Sequence, residues 1–221
     1  MLRNRQVLIG SILPLSAFFC LILPTRVAWA GKGEDIIRRV QSKFEALSTL
    51  SAHFGVRCQS EGIEEVRQEE GTLFMDGQGR FRTETAGQTV VSDGQTVWMY
   101  NRQENQVIIR SAQSAAEDLL TPQKLLYEYP AKYRIDKVAE IDYSGRLCDQ
   151  LVMVPKEETD PTRQLQVWVD RRESITRKVW IEDLAGNVTT FEFEAFQFGL
   201  ELPPETFHFI PPEEAEVIDI R

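Results

Sequence analysis

Residues 91–100 form the stretch Val-Ser-Asp-Gly-Gln-Thr-Val-Trp-Met-Tyr, in which an Asp-Gly pair separates two runs rich in β-branched and aromatic residues. This arrangement is the strongest short-range signal for a β-hairpin, because the tight turn needs residues that tolerate a positive φ. A two-residue turn at Asp93-Gly94 pairs Val90 with Val97 and puts Met99 on the same face, since side chains alternate along a strand. The stretch therefore predicts a hairpin with one aliphatic and one aromatic face.

The preceding segment predicts another hairpin, which comes first along the chain. A turn at Gly77-Gln78 places Phe74 opposite Phe81 on a face without charge, whereas Arg80 and Arg82 lie on the other face. The uncharged faces of the two hairpins would together form one apolar surface, made of Phe74, Phe81, Val90, Val97 and Met99. On composition alone, a packed core explains this surface better than an open cavity.

The rest of the chain predicts a mainly β protein with few helices. Residues 35–50 place apolar side chains, Phe44 among them, at helical spacing, which indicates one amphipathic helix. A second helical stretch at 114–133, broken at Thr121-Pro122, indicates one or two short helices.

Strand-like segments occupy residues 51–110 and 133–209, with the last strand predicted at 206–209. About a dozen strands in antiparallel order indicate a single curved antiparallel sheet that forms an unclosed β-barrel. The concave face of such a sheet must be covered by helices or hold something else.

The N-terminal residues 1–30 have the organisation of a secretory signal peptide. A positively charged start precedes an uncharged apolar run at 7–23, and small residues follow it. This order predicts cleavage of the Ala30–Gly31 bond and a single secreted domain at 31–221. A retained membrane helix is the alternative, which the prolines within and after the run disfavour.

The charge of the secreted part excludes some classes of partner. Removing Arg3, Arg5 and Arg26 from the 25 basic residues leaves 22 against 34 acidic residues, a formal charge of −12. Such a surface repels nucleic-acid phosphates and favours a soluble monomer.

Signs of catalysis or of a cofactor are few. His53 and His208 both lie in strand patterns, where a histidine is more often structural than catalytic. The acidic cluster within 61–70 matches no metal-binding spacing. We therefore expect no enzyme activity, cofactor or metal. Cys58 and Cys148 are a possible disulfide, provided that their strands are neighbours.

Three segments resemble one family. Residues 91–100 are similar to the V-S-D-G-[KQ]-T-[LV]-W-x-Y hairpin of the outer-membrane lipoprotein carrier (LolA) family. Residues 70–75 with 80–82 resemble its upstream G-x-L and F-R segment, and residues 207–212 resemble its F-x-F-x-x-P close. The order and spacing of the three segments fit, so the resemblance spans the secreted part of the chain.

The resemblance implies an unclosed β-barrel with helices as a lid and a periplasmic chaperone that carries acylated lipoproteins to the outer membrane. Its partners would be the lipoprotein cargo, an inner-membrane ABC-type lipoprotein exporter and an outer-membrane receptor. An envelope protein that senses lipids or lipoproteins with the same fold is the alternative. The acyl-chain cavity would be lined by Phe44, Phe74, Phe81, Val90, Val97 and Met99.

The chain departs from the family pattern at the lid. The family commonly has an Arg-Pro pair after the Leu-bearing strand, and its arginine bonds to the lid helices. Here Gly77 and Gln78 occupy that position. Arg80 or Arg82 would then be the substitutes for the family arginine.

The first testable prediction concerns the mature N-terminus. We expect the exported protein to begin at Gly31 without a lipid, because small residues precede the cleavage site and the bulky Phe19 precedes Cys20. Intact-mass measurement of the exported protein checks this expectation. A mass that includes an acyl group on Cys20 would contradict it.

Overall fold

The computed structural model describes residues 27–119, 121, 124 and 128–221, and their side chains from Gly31 onward except those of residues 117 and 118. Most of the predicted signal peptide therefore lies outside the described residues. The Ala30–Gly31 bond lies in the first helix, and cleavage at this bond stays a prediction.

The described chain forms one sheet of twelve strands in the order β12-β6-β5-β4-β3-β2-β1-β11-β10-β9-β8-β7. The strands are β1 (Thr49–Gln59), β2 (Val66–Asp76), β3 (Phe81–Thr85), β4 (Gln88–Ser92), β5 (Thr96–Asn101), β6 (Gln106–Ser111), β7 (Tyr133–Tyr143), β8 (Arg146–Pro155), β9 (Thr162–Asp170), β10 (Thr176–Asp183), β11 (Val188–Phe198) and β12 (Glu216–Asp219). The pairs are antiparallel except that of β12 with β6, and the sheet does not close on itself. The predicted fold class is confirmed.

In the described part of the chain, three helices cover the concave face: α1 (Val27–Glu45), α2 (Ala112–Asp118) and α3 (Tyr129–Lys132). The sequence pattern predicts that α1 continues to Leu50, but the helix ends five residues earlier, and Leu50 is a buried residue of β1. The position of Leu50 fits the helical period and also the alternation of the strand that buries it.

Two apolar clusters occupy the concave face. One lies between α1, α3 and strands β7 to β10. The other lies over strands β1 to β5 and includes Ala115 of α2. Phe44, near the end of α1, packs against both clusters, as does Phe193 of β11.

The first of the two predicted hairpins, formed by β2 and β3, has a different register from the predicted one. Met75 pairs with Phe81, and Phe74 pairs with Arg82, because the connection has three residues, 77–79, instead of two. The carboxylate of Asp76 organises this longer loop by accepting hydrogen bonds from the backbone N–H of Gln78 and Arg80, each at 3.0 Å. A shift of one residue moves every side chain to the opposite face.

The second predicted hairpin, formed by β4 and β5, turns at Gly94-Gln95 rather than at Asp93-Gly94. The N–H of Asp93 donates to the carbonyl of Thr96, which places these two residues opposite each other. Val90 therefore pairs with Met99 instead of Val97. Gly94 has φ +93°, which suits the first position of a type II′ turn. This register differs from the predicted one by two residues, so the predicted faces are kept.

The C-terminal segment covers the aromatic, convex face of the second hairpin. His208 packs edge-on against Trp98, and Phe209 packs against Tyr100, each with 5.7 Å between ring centroids. The predicted strand at 206–209 is wrong, because Pro204–Phe207 form a 3-10 turn. The final strand is instead β12, which pairs parallel with β6.

The possible disulfide between Cys58 and Cys148 does not form. Both residues are free thiols, with Cys58 exposed and Cys148 buried. Cys58 lies in β1 and Cys148 in β8, four strands away along the sheet. Neighbouring strands are about 4.8 Å apart, so four steps separate the two by roughly 19 Å along the sheet, far beyond disulfide range.

The backbone of Leu47 approaches Gly77 so closely that a larger residue would not fit, and this contact gives a second prediction. A Cβ atom at Gly77 would lie 2.5 Å from the carbonyl oxygen of Leu47, so Gly77→Ala should lower the free energy of unfolding by about 1–3 kcal/mol. Gly87→Ala is the matched control, since a Cβ at Gly87 meets nothing within 4 Å. Chemical denaturation of both variants measures the difference. Equal free energies of unfolding for the two variants would show that the loop after α1 shifts without an energetic cost.

Candidate functional site

An apolar cavity of about 100 Å³ lies on the concave face of the sheet. Its wall is formed by Phe44, Leu50, Phe54, Leu73, Met75, Phe81, Thr83, Thr121, Thr176, Phe191, Phe193 and Phe196. Strands β1, β2, β3 and β11 supply most of these residues, so the cavity lies where the two halves of the sheet meet. The polar members of the wall are three threonines.

Aromatic rings form the floor of the cavity. The pairing of β1 with β11 places Phe54 directly opposite Phe193, and Val56 opposite Phe191. Cross-strand neighbours of this kind lie within side-chain contact on one face of the sheet. On the other side of β1, Leu50 pairs with Met75, which extends the apolar surface into β2.

The structure brings together only part of the predicted cavity lining. Phe44 and Phe81 line the cavity, whereas Val90, Val97 and Met99 lie in the apolar cluster that continues from it. The placement of Phe74 on this surface is wrong, because the register of the first hairpin turns it to the convex face, where it pairs with Arg82. Leu73 and Met75 take its place. The role of these residues in binding an acyl chain stays a prediction.

The aromatic residues of β11 are part of the cavity that the sequence reasoning did not include. Residues 190–194 are Thr-Phe-Glu-Phe-Glu, in which phenylalanine alternates with polar and acidic residues. Strict alternation of apolar with polar or charged residues predicts a strand with one buried face. The pattern therefore indicated that the phenylalanines of this strand are buried. It did not reveal that β11 would lie beside β1, about 140 positions earlier in the sequence.

The electrostatics of the cavity suit an uncharged ligand. The described residues of its wall include no ionisable side chain, and Glu192 and Glu194 of β11 point to the convex face. Partial burial alone would raise the pKa of Glu192, but hydrogen bonds from Tyr143 at 2.7 Å and Lys178 at 3.1 Å hold this pKa below its ordinary value. The described part of the cavity wall therefore offers neither an acid nor a base nor a metal ligand.

Helix α2 covers the part of the apolar cluster that continues from the cavity onto the second hairpin. Its residues Ala112 and Ala115, together with Leu119 just after it, pack on the apolar cluster. Arg110 of β6 holds the first turn of α2, because its guanidinium donates to the carbonyl oxygen of Ser114 at 2.7 Å and to its hydroxyl at 2.9 Å. The start of the helix is capped by Ser111, whose hydroxyl accepts from the N–H of Ser114.

The predicted lid contacts of Gly77, Arg80 and Arg82 are wrong for the described part of the lid. Arg80 binds Asp76 at 2.7 Å and lies over the ring of Phe207. Arg82 binds Glu84 at 2.6 Å and donates to the carbonyl oxygen of Thr206. Both arginines therefore face the convex side and the C-terminal segment. Gly77 donates its N–H to the carbonyl of Ser48, next to the end of α1.

Membrane-spanning helices and metal clusters are both absent from the described residues. Every helix there is too short or too polar to span a lipid bilayer. No group of three or more histidine, cysteine, aspartate or glutamate side chains in this part of the chain is arranged to hold a metal ion.

Fold and site together define a class of protein: an open, curved β-sheet whose concave face encloses a helix-covered apolar cavity. The family model of the outer membrane lipoprotein carrier protein LolA matches residues 45–210. The chain therefore belongs to the LolA family.

Relatives by sequence include proteins named as outer-membrane lipoprotein carriers. One from Chromobacterium violaceum is 30% identical over 77% of this chain and 81% of its own length. One from Nitrosospira multiformis is 26% identical over 92% of this chain and 98% of its own length. An uncharacterised protein from Methanocaldococcus jannaschii is 24% identical over 84% of this chain, which spans about half (53%) of that longer protein.

A solved structure shares the fold. An uncharacterised conserved protein from Thermus thermophilus superimposes with a TM-score of 0.59 over 86% of this chain and 99% of its own, at 14% sequence identity. This identity supports the fold and nothing finer.

The contacts of Arg110 give a third prediction. Arg110→Gln should raise the binding of a hydrophobic fluorescent dye by the empty protein, because a charge-assisted hydrogen bond that holds α2 contributes about 1.5–3 kcal/mol. Arg102→Gln is the matched control, since Arg102 bonds to Thr85 and Thr89, at the end of the sheet away from α2. Unchanged dye binding in both variants would show that packing alone holds the helix.

Proposed function

We propose that the protein is a periplasmic chaperone that carries acylated lipoproteins from the inner to the outer membrane and holds their acyl chains in the apolar cavity. The observation that carries the proposal is the cavity itself, whose uncharged, aromatic wall lies on the concave face of an open sheet and includes Phe44 of α1. Membership of the LolA family and the carrier names of its relatives support the same role.

The energetics of the task match this architecture. Each methylene removed from a bilayer into water costs about 0.8 kcal/mol, so a lipid anchor needs an apolar surface of comparable extent before it leaves the membrane. A carrier that travels through water must also hide this surface when it is empty. A cavity between an open sheet and displaceable helices satisfies both demands.

The closed cavity is too small for an acyl chain. At about 100 Å³ it is smaller than a 150 Å³ protein cavity that accepts one benzene molecule, whereas pockets for larger ligands measure about 300–1,000 Å³. Loading therefore requires helices to move away from the concave face.

The partners of the proposed carrier follow from its route. It would take cargo from an inner-membrane ABC-type lipoprotein exporter and deliver it to an outer-membrane receptor. The predicted signal peptide would bring it to the periplasm, and the formal charge of −12 of the secreted part would keep it off anionic membrane surfaces between the two.

A fourth prediction tests the carrier role. Thr83→Glu should abolish the release of a lipoprotein from inner-membrane vesicles that contain the exporter, because a carboxylate in the cavity wall loses its hydration when an acyl chain enters. Thr83 is half-buried, whereas Val97, at 1% exposure, is so tightly packed that a charge there would mainly unfold the protein.

The matched control for that assay is Thr190→Glu. Thr190 lies on the convex face of β11 opposite Arg57, so the same substitution adds the same charge outside the cavity. Release by the control at the native level, with loss in Thr83→Glu, supports the proposal. Normal release by a folded Thr83→Glu protein would refute the use of this cavity, and no release by the native protein would refute the carrier role.

A further inference from the structure

A polar cleft lies on the convex face of the sheet, on the opposite side from the apolar cavity. Its volume is about 490 Å³, within the range of about 300–1,000 Å³ that is usual for ligand sites. Strands β1, β2 and β11 form its floor. Its lining includes six acidic or basic side chains, those of His53, Glu70, Arg146, Arg177, Glu192 and Glu194. We call it the convex cleft.

The turn between β7 and β8 forms one wall of the convex cleft. Tyr143, at the end of β7, lies over Trp168 with 6.5 Å between ring centroids, and its hydroxyl donates to Glu192 of β11 at 2.7 Å. Since β7 and β11 are four strands apart in the sheet, this turn folds over the convex face. The opposite wall is β2, where Glu70 lies.

Gly55 lies at the centre of the floor, and no contact among the described residues requires a glycine there. It belongs to the middle of β1, between Glu192 on β11 and Glu70 on β2. Its φ lies outside the left-handed region, and a Cβ atom at this position meets nothing within 4 Å. A glycine inside a strand weakens the strand and often marks the close approach of a ligand. The open space above Gly55 therefore indicates a ligand that lies directly on the strand.

A β-bulge shapes the floor beside this glycine. The register of the β1–β11 pair shifts just after His53 and Glu194, where β11 carries one extra residue. Within the bulge, Ala195 has φ +50°, a conformation that an alanine adopts at an energetic cost. Bulges often redirect side chains beside a functional site, and this one directly follows a carboxylate that lines the cleft.

The two walls carry charges of opposite sign. Glu70 is exposed and makes no ion pair in the described part of the chain. On the other wall, Arg146 is half-exposed, and its contacts with Asp170 and Glu173 are long, at 3.4 and 3.6 Å. Glu70 lies two strands away from Glu192, to which the other wall is bonded, so the two walls are roughly 10 Å apart.

The signs and the separation of these charges determine the ligand class. A guanidinium binds a carboxylate through two parallel hydrogen bonds, and a carboxylate binds an ammonium group. A ligand that satisfies both walls therefore has a carboxylate at one end and an ammonium group at the other. An extended peptide covers about 3.3–3.6 Å per residue, so three residues span roughly 10 Å.

We propose that the convex cleft binds a short peptide with free termini, about three residues long, whose carboxylate lies at Arg146, whose ammonium group lies at Glu70 and whose backbone crosses Gly55. The site is separate from the apolar cavity, and the proposal does not depend on the carrier function. A phosphate ion would be repelled by Glu70 and Glu194, and a neutral sugar would leave the charges of both walls without a partner.

The first experiment titrates trialanine, N-acetyltrialanine and trialanine amide into the purified exported protein by calorimetry. We expect each cap to weaken binding by about tenfold or more, because it removes one charge-assisted contact. Glu70→Gln should weaken trialanine binding to the same extent, yet bind N-acetyltrialanine as the native protein does. Arg146→Gln should show the same relation to the amide. Glu69→Gln and Arg67→Gln are the matched controls, since both residues alternate with Glu70 on β2 and lie outside the cleft.

The second experiment fills the floor of the cleft. Gly55→Val should weaken trialanine binding by about tenfold or more and unfold at the native temperature or above, because valine favours strand structure. Gly87→Val is the matched control, since a Cβ at Gly87 also meets nothing within 4 Å and the residue lies between β3 and β4, outside the cleft. If Gly55→Val does not fold, Gly55→Ala tests the same point with a smaller side chain.

Several results would overturn the proposal. They are failure of the native protein to bind trialanine at millimolar concentration, equal binding of the capped and uncapped peptides, and normal binding by a folded Gly55→Val protein. Binding of maltotriose or inorganic phosphate in place of trialanine would also overturn it and would identify a sugar or an anion site. None of these results bears on the carrier function, because the apolar cavity lies on the other face of the sheet.

Discussion

The pairing of β1 with β11 is the interaction on which the rest of the structure depends. Among the described residues, β1 is the first strand and β11 the last long one, yet they are neighbours from Leu50–Phe198 to Gln59–Val188. This pairing joins the hairpins β2 to β6 on one side to the strands β7 to β10 on the other. It places Phe54 against Phe193 and so makes one apolar interior from two halves that would each expose their concave face to water.

This dependence explains which features the sequence predicts and which it does not. Hairpins are local, so Asp93-Gly94 and the alternation around it were enough to identify a turn and the face on which Val90, Val97 and Met99 lie. The pairing of β1 with β11 and the parallel pairing of β12 with β6 are long-range, and no local pattern contains them. The cavity floor, which depends on β11, was therefore missed although its alternating phenylalanines are visible in the sequence.

The error at Phe74 has a more specific cause. Two- and three-residue turns differ by one position in register, and one position exchanges the faces of a strand. The sequence Asp-Gly-Gln-Gly at 76–79 is compatible with either turn. The choice is made by the Asp76 carboxylate, which accepts from two backbone N–H groups, and by Gly79, whose φ of +81° closes the three-residue loop. The error in the second hairpin left its faces unchanged because it amounted to two positions.

Polar side chains help to hold the helices that cover the interior. Helix α2 packs on the interior with the small side chains of Ala112 and Ala115, and Arg110 binds its first turn. Helix α1 buries Ile36 and Val40, and its Arg39 donates to one carboxylate oxygen of Asp149, whose other oxygen accepts no hydrogen bond from the described residues. In the proposed carrier, an entering acyl chain would gain about 0.8 kcal/mol for each buried methylene, which would offset the apolar contacts that the helices give up. Without a lipid, the helices would compete only with water, which an uncharged aromatic wall holds poorly.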